Sequence, residues 1–100
     1  MLNTLQEFKD CIAQNQVVVI DFTATWCGPC KMIGPVFEQL SGEFPNVHCV
    51  KIDVDENAEA AEECGISAMP TFLVYKGGAK VDEMVGASEQ KLREILTKYN

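Results

Sequence analysis

Long apolar runs are missing from this 100-residue chain, and nothing in it nears the roughly 20 residues that a membrane-spanning helix needs. Basic residues are scarce. Eight Lys and Arg stand against fifteen Asp and Glu, for a net charge of −7. That balance argues against nucleic acid as a partner, because phosphates call for a basic surface. It suits plain solubility, or a protein partner with a positive patch. The opening residues, Met1-Leu2-Asn3-Thr4-Leu5-Gln6-Glu7, lack the basic start and apolar stretch of a secretory signal. The last, Leu96-Thr97-Lys98-Tyr99-Asn100, carry no retention or lipidation motif. We therefore expect a cytoplasmic protein without a membrane partner. Repeats, low-complexity tracts and linkers are also absent, so residues 1–100 are expected to form a single domain. Five cysteines are an odd count and too few for a secreted disulfide scaffold. A zinc site needs four ligands, usually as two close pairs. Cys11, His48, Cys49 and Cys64 offer no such second pair, so no metal is expected.

What the chain does have is one dense motif, Trp26-Cys27-Gly28-Pro29-Cys30-Lys31. It follows the apolar run Val17-Val18-Val19-Ile20-Asp21-Phe22 and precedes a helical pattern. The first turn of a helix has unpaired N–H groups and a partial positive charge, which favour an anion. The thiolate is the attacking form of cysteine, so Cys27 is the candidate nucleophile and the more exposed sulfur. Cys30, one turn on, can resolve a mixed disulfide held by Cys27, and the pair can close reversibly. A static disulfide is the plainer reading of the same two residues.

The rest of the chain supplies regular elements. Thr4 and Glu7 form a capping box, and Leu5, Phe8 and Ile12 share one helical face to about Asn15. Val17 to Phe22 reads as a strand buried on both faces. Pro29 opens a helix on which Met32, Ile33, Val36, Phe37, Leu40 and Phe44 recur, with a kink expected at Pro35. Val47 to Val54 alternates as a strand. A short helix fits Asn57 to Cys64, ended by Gly65. Thr71 to Tyr75 and Lys80 to Val85 flank a turn at Lys76-Gly77-Gly78-Ala79. Ser88 caps a last helix bearing Leu92, Ile95, Leu96 and Tyr99. The order predicts an α/β fold: parallel strands joined through helices, closed by an antiparallel hairpin.

With the strand, the Trp-Cys-Gly-Pro-Cys-Lys motif, the proline-bearing helix and Met69-Pro70-Thr71-Phe72 in place, the chain resembles the thioredoxin family over nearly its whole length. The phrase from Asp21 to Met32 looks like the animal-type cytosolic members. The resemblance implies a thioredoxin fold, with a mixed central sheet of four strands flanked by four helices. Family members usually begin with a further strand. Only Met1, Leu2 and Asn3 precede the Thr4 cap, so that strand should be very short or missing. The implied activity is general protein disulfide reduction: a monomeric electron carrier with no bound cofactor. Electrons would come from NADPH through thioredoxin reductase. Clients would be disulfide-bearing proteins such as peroxiredoxins or ribonucleotide reductase. The rivals are a thioredoxin-fold binding subunit and an oxidase- or isomerase-like domain. The Gly28-Pro29 dipeptide resembles the reducing members.

The resemblance also gives roles to single residues. Trp26, Gly28, Pro29 and Lys31 belong to the motif that tunes the dithiol. Pro70 matches the family's cis proline and turns the backbone of Met69 outward, where a client segment can add as a strand. Trp26, Gly28, Pro29, Ile66, Met69, Pro70, Gly86 and Ala87 would form an apolar platform around Cys27. Core packing is the alternative for Trp26, Ile66 and Met69. Asp21 stands alone in an apolar strand. Burial should raise its pKa, so that it can trade a proton with Cys30. Lys51 either biases Asp21 or is an ordinary surface lysine. Cys11 and Cys49 read as small core hydrophobes, while Cys64 is a candidate for oxidative modification. The acidic run from Asp53 to Glu63 reads as a solvated face or a contact for a basic reductase surface. Ala68 closes the dimerisation route that some vertebrate members have through a cysteine before the Met-Pro pair.

Overall fold

A computed structural model describes residues Met1–Asn100. Eight elements follow in order: α1 (Leu5–Gln14), β1 (Val17–Thr23), α2 (Gly28–Ser41), β2 (His48–Asp53), α3 (Ala58–Glu63), β3 (Thr71–Lys76), β4 (Ala79–Val85) and α4 (Glu89–Tyr99). Polar caps start the helices. Thr4 Oγ1 accepts the Glu7 N–H at 3.0 Å, Asn57 Oδ1 that of Ala60 at 3.3 Å, and Ser88 Oγ that of Lys91 at 3.3 Å. Each satisfies a donor that the helix itself leaves unpaired.

The strands lie in the order β2-β1-β3-β4. Side chains alternate across β1, so its two faces serve two cores. Val17 and Val19 pack with Ile33, Phe37 and Leu40 of α2 and Leu92 and Leu96 of α4. Val18, Ile20 and Phe22 pack with Phe8 of α1 and Ala60 of α3. Each fully buried Leu, Ile or Phe contributes about 1.5–3 kcal/mol, which is why β1 is apolar almost throughout. Asp21 belongs to the α2 face, between Lys51 of β2 and Phe72 of β3 in register.

One sequence expectation needs correction. The connection through α3 is not a parallel crossover: β3 runs antiparallel to β1, while β1 and β2 are parallel. Helix α3 has six residues, spans only about 9 Å at 1.5 Å per residue, and does not itself run the chain back along the sheet. The chain therefore turns back from the end of the sheet where β1 stops and α2 begins, which brings Pro70 to that end. The N-terminus is as expected: no strand forms before α1. What remains is one backbone hydrogen bond from the Leu2 N–H to the Lys51 carbonyl at 2.9 Å, backed by Asn57 Nδ2 donating to the Leu2 carbonyl at 3.3 Å. Helix α2 continues through Pro35 to Ser41.

The β3–β4 hairpin turns on Gly77 and Gly78, with φ of +62° and +83°. A two-residue turn of this hand asks for positive φ at both central positions. Replacing Gly77 by valine should cost about 1–2 kcal/mol, the penalty for a side chain in left-handed backbone. A urea titration would show this as a lowered midpoint with an unchanged slope.

Candidate functional site

The strand β1 delivers the chain to the top of the sheet, and α2 starts there. Cys27 is the N-cap of α2, and its Sγ accepts the Cys30 N–H at 3.2 Å. Pro29 occupies the first turn, where a missing N–H costs nothing. The two sulfurs are joined in a disulfide, with Cα atoms 5.3 Å apart. A sulfur at that cap faces the Cys30 N–H and the positive end of the helix, a setting that favours negative charge. Both cysteines are nearly buried, Cys27 at 5% exposure and Cys30 at 3%. The difference in access between them is therefore small. Their neighbours Trp26, Gly28, Pro29, Lys31 and Met32 are exposed.

A second segment closes on the disulfide from the start of β3. The Met69–Pro70 peptide is cis. Met69 packs against Ala24, Cys27 and Cys30. Its own N–H and C=O make no backbone hydrogen bond, whereas the Pro70 carbonyl accepts the Gly86 N–H at 2.9 Å. Gly86 is half-buried and Ala87 is exposed beside it. Ile66 is half-buried and packs against the α1/α3 core rather than the cysteines. The sequence reading thus brings Trp26, Gly28, Pro29, Met69, Pro70 and Gly86 to one end of the sheet, with Ile66 serving both core and surface.

Asp21 lies beneath α2 at 1% exposure, and neither carboxylate oxygen has a hydrogen-bond partner in the protein. Burial pushes its pKa up to about 6; the Lys51 charge pulls it down and the Glu38 charge adds to the rise. Lys51 is its register neighbour across β1–β2. Yet the Lys51 ammonium pairs with Glu38 Oε1 at 2.7 Å, not with Asp21. A groove of about 450 Å³ runs over this region, lined among others by Cys30, Gly34, Glu38, Lys51 and Asp53.

Two residues escaped the sequence reading. Asp55 Oδ2 accepts the indole N–H of Trp26 at 2.9 Å, which pins a side chain that is 66% exposed. The acceptor holds the indole at the site, but nothing in the spacing singled out Asp55 within the acidic run. That run is also not uniformly solvated. Asp53 is buried and its Oδ1 accepts the N–H groups of Asp55 and Glu56 at 2.8 and 3.2 Å. The second is Glu38, whose spacing from Cys30 through Gly34 repeats at four residues and so marks one helix face. The free cysteines sit elsewhere. Cys11 is buried and Cys49 half-buried at the sheet edge. Burial pushes the Cys49 thiol up to about 11. Cys64 lies 3.5 Å from the Tyr75 hydroxyl, and burial raises its thiol as well. A raised pKa keeps a thiol protonated and slow to react.

Residues 1–98 match the family model described as Thioredoxin. A thioredoxin of Malassezia sympodialis is 48% identical over 103 residues, covering all of this chain and 97% of that protein. Thioredoxin-1 of Schizosaccharomyces pombe is 51% identical, covering 90% of this chain and 87% of its own length. Thioredoxin-2 of Pyricularia oryzae is 49% identical over 96% of this chain, and the chain spans 56% of that longer protein. Among solved structures, Plasmodium falciparum thioredoxin superposes with a TM-score of 0.96 at 43% identity, covering 98% of this chain and 96% of that one. The match is to the family as a whole and does not single out its animal-type branch. The chain belongs to the thioredoxin family of protein disulfide oxidoreductases, which work by dithiol–disulfide exchange through a Cys-x-x-Cys pair, here Cys27 and Cys30, and are recharged by thioredoxin reductase.

Proposed function

We propose that Cys27 is the nucleophile, Cys30 the resolving thiol and Asp21 the proton partner of Cys30, in a monomer that reduces client proteins in the cytoplasm. The Cys27 thiolate attacks a client disulfide, forms a mixed disulfide and expels one client thiolate. Cys30 gives its proton to the Asp21 carboxylate and attacks Cys27 Sγ. The second client sulfur leaves as a thiolate and takes up a proton. Two electrons have passed from the dithiol to the client, and the Cys27–Cys30 bond is formed again. The observation that carries this reading is Cys27 Sγ at the head of α2, accepting the Cys30 N–H.

The backbone of Met69 has no backbone hydrogen bond of its own, so an extended client segment can pair with it as an added strand. Trp26, Pro70, Gly86 and Ala87 then form the rim, and Gly28, Pro29 and Lys31 set the preference of the pair for its reduced form. Electrons enter from NADPH through thioredoxin reductase. Peroxiredoxins and ribonucleotide reductase are the client types we expect. One structural relative, with a TM-score of 0.93, comes from work on thiol resolution in a yeast mitochondrial 1-Cys peroxiredoxin, which supports the former. The test is insulin reduction coupled to NADPH and thioredoxin reductase. Sustained NADPH consumption that vanishes in Cys27→Ser is the expected result. No turnover in the unaltered protein would refute the reading and leave a binding subunit in its place.

A further inference from the structure

Asp21 and Lys51 are opposite each other in register, on the face covered by α2. A buried carboxylate without a hydrogen bond and a lysine one strand away would ordinarily find each other. They do not, because Lys51 Nζ is held by Glu38 Oε1 at 2.7 Å. The lysine is only 23% exposed along its side chain while the glutamate is 69% exposed, so the pair sits at the rim of the groove with its cation turned inward. A Cβ placed on Gly34 would lie 3.6 Å from Lys51 Nζ, which puts the ammonium against the same helix face that carries Cys30 and Glu38.

We propose that Glu38 is a positioning residue: by holding the Lys51 ammonium at the rim of the groove, it withholds from Asp21 the cation that its register neighbour offers. Asp21 then stays without a counter-ion and takes up a proton as pH falls through about 6. The charged and titratable groups near Asp21 are few. From β2 come Lys51 and Asp53, the latter already bonded to two backbone N–H groups. From α2 come Cys30, Lys31 and Glu38, and from the N-terminus Met1 with its α-ammonium, all of which line the groove. On the β3 side its register neighbour is Phe72, which does not titrate. Of these groups, Lys51 and Glu38 are the charges that bear on Asp21, and they act in opposite directions.

This inference deepens the proposed role of Asp21 as proton partner of Cys30 and rests on it, but the two fail separately. The test is the titration of the Asp21 carboxyl, followed by NMR in the oxidised protein with labelled aspartate. Glu38→Gln removes a negative charge from an exposed position and frees Lys51. The midpoint of Asp21 should fall by about one pH unit or more, as expected when a cation comes within reach of a carboxylate. In a Lys51→Met background the same substitution should move the midpoint by less than about a third of that, since only the direct repulsion between Glu38 and Asp21 then remains. Glu43→Gln, which makes the same charge change in the distant pair with Arg93, should leave the midpoint in place. An unmoved midpoint in Glu38→Gln overturns the inference, and so does an equal shift in Glu43→Gln or in the Lys51→Met background. The role of Asp21 itself is read from Asp21→Asn. If that variant resolves mixed disulfides at the normal rate while Glu38→Gln shifts the midpoint, Glu38 still positions Lys51 and the proton role of Asp21 is lost.

Discussion

Cys30→Ser is expected to arrest the reaction at the mixed disulfide, with steady-state reduction of a client lowered by at least about a thousandfold. The sulfur of Cys30 lies within one helical turn of Cys27, fixed by a cap, a proline and a closed covalent ring. A group held in place this way acts at an effective concentration on the order of 10⁵ M. An external thiol at about a millimolar cannot replace it. The first step needs only Cys27, so the client still becomes attached. The product should appear on a non-reducing gel as a covalent adduct that a strong reductant releases. Cys27→Ser should give neither adduct nor turnover, because the serine hydroxyl is not ionised near neutral pH. If Cys30→Ser kept most of its turnover with no adduct, the assignment of Cys30 as resolving thiol would be wrong. The same adduct identifies the physiological clients.

The difference between what sequence and structure reveal follows from distance along the chain. Elements set by local chemistry were legible. The Thr4 and Ser88 caps, the buried run from Val17 to Phe22, the proline at the start of α2 and the glycine turn at Gly77-Gly78 all rest on neighbours within a few residues. The dithiol was legible for the same reason. The direction of β3 was not, because side chains alternate in the same way in parallel and antiparallel strands and do not encode which way a strand runs. Asp21 stood out as a charge in an apolar strand, but its surroundings join three separate segments. Its neighbours Lys51 and Glu38 lie thirty and seventeen residues away in sequence. Register places the first and helix periodicity the second, and neither is visible until the sheet order is known. Trp26 and Asp55 pose the same problem: their hydrogen bond spans a helix and a strand.

Asp21→Asn is expected to strengthen the fold and slow the chemistry, both as functions of pH. The carboxyl ionises at about 6 in the folded chain against an ordinary value of 3.8. A difference of about two pH units corresponds to about 3 kcal/mol between the protonation states. The sign follows from linkage. Below pH 3.8 the group is protonated in both states, and it has no effect. As pH rises from 3.8 to 6 the unfolded chain releases its proton first, so the folded state loses stability. Above pH 6 the loss is complete and constant. An asparagine cannot ionise, so the variant keeps the stability that the parent forfeits. The advantage of the variant should grow between pH 4 and 6 and level off near 3 kcal/mol at pH 7, which for 100 residues raises the melting temperature by roughly 10 °C or more. Calorimetry at pH 4 and pH 7 measures both limits. Against that gain stands the loss of the proton acceptor for Cys30. General base catalysis by a positioned side chain contributes about 10²–10⁴-fold, so resolution of a preformed mixed disulfide should slow by about a hundredfold. A buried, unsatisfied carboxylate that weakens the fold it sits in persists where it serves the reaction, and this variant separates the two effects in one protein. Equal melting curves at both pH values would show that Asp21 is solvated or paired in solution, and the proton role would go with it.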